Sequence, residues 1–558
     1  MRPREGDQGK FKVITICCLA VVCLVVFLLV TAKGIGATRD SATYIGAARN
    51  LLDGKGLSVS AGNGDALPLT HFPPLYPIVL YGISCFGLDP LTGARFLGAL
   101  LLLTNILLVG FLIHKFSRGS ILAAFLGSFT VLFSIDILTA HTIVFSEPLF
   151  IFLLLLGLYA MVNYLESDRY WFLILSSLSV ALAFLTRYMG ISLIVTGVIA
   201  LLAISSKPRY RKIRDAVLFL AITLLPSLIW IIRNLVVADN AVNRELVFHP
   251  INLSHIKSAS YVVSTWIFPV SRIVDGAENN NLLIYIFLGL GTAAAVVIAC
   301  FVLRSKHGVN GEEGSGYNHE GKKTTFVYIF GYFIIIYAIC AVLSISFIDA
   351  EVKLDDRILA PIFILAVVIS YSLLGSAWRS KAVSSRTNIF LFATLAMFIL
   401  IYLVSGTIWI SRTCKEGQGY ISKTWEDSQL IALVDTLPEG TTIYSNEPYA
   451  IYIITGRPAS SIPSRIDARA LRDNDQYLSE LAAMREQLLR NSGYVIYFSK
   501  LWPAYMPREE EIVSQIGLDV VMRVYDGAIY TINTQMGGNS PEISEKKMRR
   551  RACLFVEQ

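Results

Sequence analysis

The stretch FKVITICCLAVVCLVVFLLVTAKGIGATRDSATYIGAARNLLDGKG, residues 11–56, decides the class of fold. Its first part, Phe11 to Ala32, is an apolar run of about 22 residues, and about 20 suffice for a helix to cross a bilayer. It follows a basic N-terminus (Arg2, Arg4, Lys10) and exceeds the roughly 7–15 residue apolar core of a signal peptide. It therefore reads as a retained first membrane helix. The second part is polar and helical in pattern, and it places a carboxylate, Asp40, just beyond the membrane.

The rest of the chain extends that pattern. Of its 558 residues 54% are hydrophobic and 16% charged, against about 25% charged in soluble domains. Mean hydropathy is +0.58. Eleven spans are expected, at 11–32, 92–114, 119–136, 143–164, 170–186, 188–205, 214–233, 283–304, 325–347, 358–377 and 388–410. With the N-terminus inside, the inner loops carry the Lys and Arg residues, including Lys207, Arg209, Arg211, Lys212 and Arg214. The outer loop 348–357 instead holds Asp349, Glu351, Asp355 and Asp356, which is the positive-inside pattern. An odd number of spans then leaves the C-terminal region outside. The expectation is a multi-pass plasma (inner) membrane protein with a cytoplasmic N-terminus.

Three domains follow. Residues 1–410 form a polytopic α-helical membrane domain with long outer loops at 33–91 and 234–282. Residues 411–540 form an extracytoplasmic α/β domain, and 541–558 a basic disordered tail. Within the first outer loop, 74–87 is apolar but too short to span, so it reads as an interfacial or re-entrant helix. In the α/β domain TTIYSN (441–446) and YVIYFS (494–499) read as strands and 519–533 as a strand pair turning at Asp526-Gly527. Helices are expected at 447–455, ended by Gly456, at 474–491 and at 508–516. The eight cysteines lie mostly in apolar runs with no CxxC and no ligand-like Cys/His spacing, so neither a disulfide framework nor a zinc site is expected.

The candidate chemistry lies at the outer ends of the spans. Asp40 has Tyr44 four residues on, on the same helix face. A carboxylate held there can act as a general base, although Asp is also a good helix cap. THFPPLYP (70–77) brings His71 and a rigid proline entry to the next helix. Glu147, in SEPLF, is a carboxylate close to hydrocarbon and needs a cavity or a partner. Arg187, Arg233 and Arg357 run against the positive-inside bias. Each has the planar donor fork that suits a phosphate, and each could instead pair with an acidic neighbour; for Arg357 those neighbours are Asp355 and Asp356. P-loop, GxGxxG, HExxH and GxSxG motifs are absent, which disfavours an ATP-driven pump, a Rossmann dehydrogenase, a zinc protease and a serine hydrolase.

Taken in order, Asp40 with Tyr44, AARNLLDGKG, FPPLYP, SEPLF, LTRYMG, DDRILAP and the tail opening LPEGTTIYSNEPYAIYIITGRPA resemble the GT-C superfamily of membrane glycosyltransferases. The closest likeness is to the bacterial branch around lipid A aminoarabinose transferases and protein O-mannosyltransferases. The resemblance implies a polyprenyl-phosphate-linked sugar donor, a lipid, glycan or protein acceptor on the outer face, and no nucleic acid. It implies Asp40 as base, Glu147 as the second acidic residue of the active cavity, and Arg187 and Arg357 as contacts of the donor phosphate, with Arg233 the weaker candidate. Some branches use a divalent metal; the ligand set here is too sparse to assign one, so no cofactor is predicted. Two departures matter. Phe72 stands before Pro73 where relatives often have a basic residue, and Ser41 follows Asp40 where protein mannosyltransferases have an acidic pair. The rival reading is a multi-span transporter or flippase, which usually shows internal repeats; none is visible here.

Overall fold

In the computed structural model the described residues are 5–60, 66–238, 246–272, 325–349, 352–379, 385–467, 472–500 and 505–532. Among them seven helices are long and apolar enough to cross a membrane, from Val13–Val30 at the N-terminus to Leu391–Glu416. An eighth crossing is made if the bent pair Ile121–Leu132 and Ile135–Thr142 counts as one span. Ten of the eleven expected spans are helical over most of their length; the eleventh, 283–304, lies outside the described residues.

The differences from expectation are at the tight hairpins. The expected span 119–136 is a helix that stops at Leu132 and turns by 62° into Ile135–Thr142. The next helix consequently begins at Glu147 rather than near 143, with Pro148 in its first turn, where proline costs no hydrogen bond. The segments 170–186 and 188–205 are shorter than a full crossing. The second is broken into a 3-10 turn, an α-helix over Ile191–Ile199 and a π-turn over Ala200–Ile204. The apolar segment at 74–87 forms the short helix Leu75–Ser84, lying against the helix Arg39–Leu52.

Packing separates the inside of the bundle from its lipid face. Among the described spans the helix Glu147–Ser167 is the most enclosed, 78% buried over its apolar window, whereas Leu391–Glu416 is only 17% buried. Phe150, Leu154, Leu158 and Met161 of the former join one continuous apolar core with Leu102, Ile106 and Phe330. Exposed Leu and Val on the peripheral helices need no cover because lipid is their solvent.

The C-terminal α/β unit follows the expected alternation. Its five-stranded sheet has the order Ser460–Ser461, Ile443–Ser445, Tyr494–Phe498, Gly527–Ile532, Leu518–Val524. The first three strands are parallel and the last two complete an antiparallel hairpin. The central strand Tyr494–Phe498 is buried throughout, since helices cover both faces. Val495 and Tyr497 meet Leu481, Met484 and Ile512 on one side, while Tyr494, Ile496 and Phe498 meet Leu430, Val434 and Ile451 on the other. The helix Pro448–Thr455 ends, as expected, at Gly456, whose φ of 73° suits glycine alone without strain.

Candidate functional site

The site starts from how the chain leaves the first span. Residues 36–37 run as a short ladder between two other segments. Gly36 N donates to Thr142 O (2.8 Å), Val144 N to Gly36 O (2.9 Å) and Tyr420 N to Ala37 O (2.8 Å). The approach on the last side is so close that a Cβ on Gly419 would stand 2.0 Å from Ala37 O. Thr38 then caps the helix Arg39–Leu52, its N–H donating to Ser41 Oγ at 2.9 Å. Ser41 Oγ in turn donates to Val144 O at 2.8 Å. These bonds fix Asp40, in the first turn of that helix, beside the segment that leads into Glu147.

Four candidate residues form one network. Arg357 donates from Nη2 to Asp40 Oδ2 at 2.8 Å and from Nε to Glu147 Oε1 at 2.8 Å. Arg187 Nη1 lies 2.7 Å from the same Glu147 Oε1. The Glu147 side chain is 2% exposed, and its Oε2 is buried without a hydrogen-bond partner among the described residues. Such a charge is tolerable only when paired; two guanidiniums on one oxygen supply the pairing. The Arg357 guanidinium also covers the ring of Phe145, 3.6 Å from its centroid.

The other candidates border this network. Tyr44 is buried, its hydroxyl 3.2 Å from Ser146 Oγ, which Arg187 Nη1 reaches at 3.3 Å. Burial, reinforced by Asp40 and Glu147, pushes the Tyr44 phenol well above its ordinary pKa, so it stays a neutral hydrogen-bonding group. Its ring packs edge-to-face on Phe72 and Tyr76, each at 5.1 Å. His71 stacks its edge on Phe72 at 4.7 Å. Asp40, Tyr44, His71, Glu147, Arg187 and Arg357 all line one cavity of 1520 Å³. Part of its wall is apolar, from the ends of the spans around Phe184, Ile191 and Leu343; part is polar, from Asn446, Tyr449 and Asp473 of the α/β unit.

Other expectations change. Arg357 turns away from its sequence neighbours. Asp355 Oδ1 instead accepts from Ile358 N (3.0 Å), and Asp356 lies 3.4 Å from Arg272, which also holds Asp136 at 2.8 Å. Burial, with Asp356 next to it, pushes the Asp355 carboxyl up to about 6. Arg233 is not among the cavity residues. It donates to the carbonyls of Leu69 (2.6 Å) and Leu57 (3.0 Å), tying down the first outer loop.

Sequence reasoning missed the Arg39–Glu447 clamp. Arg39 donates from Nε to Oε1 (3.2 Å) and from Nη2 to Oε2 (2.9 Å) of Glu447, whose Oε1 also accepts from Tyr420 (2.5 Å). The partners are 408 positions apart, so no local spacing signals them. Ser146 and Phe145, by contrast, adjoin Glu147 in sequence and could have been included with it. Among the described residues no group of three His, Cys, Asp or Glu side chains is placed to hold a metal ion.

Comparison with known proteins adds the following. The sequence model of the dolichyl-phosphate-mannose-protein mannosyltransferase family matches residues 71–232, which include His71, Glu147 and Arg187. No curated protein matches the chain in sequence. Among solved structures, ArnT from Cupriavidus metallidurans in the apo state matches over 96% of this chain and 100% of its own, with a TM-score of 0.53 at 13% identity. ArnT bound to undecaprenyl phosphate matches over 94% and 99%, with a TM-score of 0.51 at 13% identity. The arabinofuranosyltransferase AftD from Mycobacteria matches over 94% of this chain but 40% of its own, with a TM-score of 0.50 at 15% identity. What these structures share with the chain is architecture, and the chain has a fold like that of ArnT.

Proposed function

We propose that the protein is a membrane glycosyltransferase that moves a sugar from a polyprenyl-phosphate donor to a hydroxyl acceptor on the extracytoplasmic face. The observation that carries the reading is the joining of Asp40, Glu147, Arg187 and Arg357, from four separate segments, on one cavity with both an apolar and a polar wall. A lipid-linked sugar has the same two-sided character. The ArnT-like fold and the mannosyltransferase family match support it.

The chemistry is one displacement with inversion. The acceptor oxygen attacks the anomeric carbon as the bond from that carbon to the phosphate oxygen breaks. The bonding electrons leave on the phosphate, and the acceptor proton passes to Asp40. Arg357 orients Asp40 through Oδ2. Arg187 and Arg357, arrayed on Glu147, stabilise the charge that grows on the leaving phosphate. Tyr44 and His71 border the sugar.

The test is an assay of purified protein with a panel of polyprenyl-phosphate sugars, reading release of free polyprenyl phosphate. Release with at least one donor, lost in Asp40→Asn, is the expected outcome. No release with any donor from folded protein overturns the reading in favour of transport.

A further inference from the structure

Arg357 follows two aspartates in sequence and pairs with neither. An arginine can reach an adjacent aspartate at a helix start, as Arg214 does elsewhere in this chain, where its Nη2 stands 3.3 Å from Asp215 Oδ1. Each of the two aspartates beside Arg357 is instead held by something else. For Asp355 it is the backbone, since Oδ1 accepts from Ile358 N at 3.0 Å. For Asp356 it is Arg272, whose Nη2 stands 3.4 Å from Oδ2.

Arg272 is not among the cavity residues. It closes the 3-10 turn Pro269–Arg272 of the second long outer loop, and its side chain is 21% exposed. The same nitrogen lies 2.8 Å from Asp136 Oδ1, and the guanidinium lies over the ring of Tyr261, 5.5 Å from its centroid. Asp136 is 5% exposed and also accepts a hydrogen bond from the Trp266 side chain. A buried carboxylate therefore anchors Arg272 on one side, and Asp356 meets it on the other.

Removal of Arg272 would change the choice open to Arg357. Asp356 has no other ion-pair partner among the described residues, and it is only 19% exposed, so water screens it weakly. It would then compete for the guanidinium next to it in the chain. Any pull in that direction takes Arg357 from Asp40 and Glu147, and small displacements of a positioned group are costly in rate.

We propose that Arg272 is a positioning residue for the transfer reaction: it occupies Asp356 and so leaves the Arg357 guanidinium to Asp40 and Glu147. The inference rests on the glycosyltransferase reading and adds to it a residue that touches neither donor nor acceptor. It also gives the loop 246–272 a task, since the end of that loop decides which carboxylates Arg357 can choose.

The test uses full-length purified protein and a polyprenyl-phosphate sugar that wild type accepts. Arg272→Gln should lower kcat about tenfold and leave KM for the donor unchanged, as expected when a transition-state contact is misplaced. Asp356→Asn should be close to wild type, and adding it to Arg272→Gln should restore kcat to within about threefold of wild type, a departure from additivity that a purely structural role would not produce. If Arg272→Gln fails to fold because Asp136 is left buried and unpaired, the same comparison is made in an Asp136→Asn background. Unchanged kcat in Arg272→Gln overturns the proposal, and so does a loss that Asp356→Asn does not lift. A rise in KM with kcat unchanged would mean that the freed Asp356 repels the anionic donor, and it also overturns the positioning role. All three leave the glycosyltransferase reading intact, whereas no release by wild type with any donor overturns both.

Discussion

At the residue scale, Asp40 and Glu147 are both carboxylates held by Arg357, yet they are set for different work. Asp40 is 31% exposed at the cavity, whereas Glu147 is 2% exposed and carries two guanidiniums on one oxygen. Asp40→Asn keeps the shape and the contact to Arg357 but cannot take a proton. Transfer should fall by about 10²–10⁴-fold with the thermal unfolding temperature unchanged; unchanged transfer would remove Asp40 from the base role. Glu147→Ala leaves the partly buried Arg187 without its anion and Arg357 with Asp40 alone. It should destabilise the protein by about 3 kcal/mol and lower the unfolding temperature in detergent. Asp355 yields a pH prediction. Its carboxyl is pushed up to about 6, so the folded state binds that proton more tightly than the unfolded chain does. Its charged form therefore weakens the fold, by an amount that is absent below about pH 4 and complete above about pH 6. Asp355→Asn, which can still accept from Ile358 N, should match wild type at pH 4 and be more stable than wild type at pH 7.5. Unfolding temperatures across that range decide it.

At the scale of elements, the helix that carries Asp40 is gripped from both sides. Its N-terminal approach is stitched to residues 142–144 and 419–420, and its first residue, Arg39, is clamped by Glu447. The clamp joins the membrane domain to the α/β unit. A carboxylate buried in one unit and answered by a half-exposed arginine of the other is worth about 1–3 kcal/mol, with solvent trimming the upper end. Glu447→Ala should speed proteolysis of the C-terminal unit in otherwise folded protein and reduce transfer. A double-mutant cycle with Arg39→Ala should show coupling, and strict additivity would mean that the two act separately. The order of elements in this unit was legible in the sequence, because alternating apolar stretches and turn residues are local signals. The bend at residues 133–134 was not legible. The segment 119–136 is mainly apolar up to Asp136, and hydropathy does not distinguish one straight helix from two at an angle.

For the whole molecule, the question is which face of the membrane holds the site. On the topology we propose from the positive-inside bias, the basic segment 207–214 lies across the membrane from the α/β unit. In a cysteine-free background, Arg211→Cys should react with an impermeant thiol reagent only after the inner side is opened, and Lys423→Cys should react in intact cells. Labelling of both from the same side, or with the two sides exchanged, would overturn this topology. This arrangement also gives the cavity its two walls. Helix ends supply the apolar one, and the α/β unit supplies the polar one.

By itself the sequence determined the partition of the chain into membrane and water, because transfer of apolar segments depends on local composition. It also marked which side chains were out of place at a membrane surface, since the cost of a charge near hydrocarbon is a property of that residue. Only the tertiary structure decided which of those charges met. Arg357 chose Asp40 and Glu147, 317 and 210 positions away, over the aspartates beside it, and Arg233 went to loop carbonyls instead of the cavity. The physical reason is that pairing depends on which helix ends reach the same depth and face the same space. That is set by the packing of the whole bundle, which no local pattern contains.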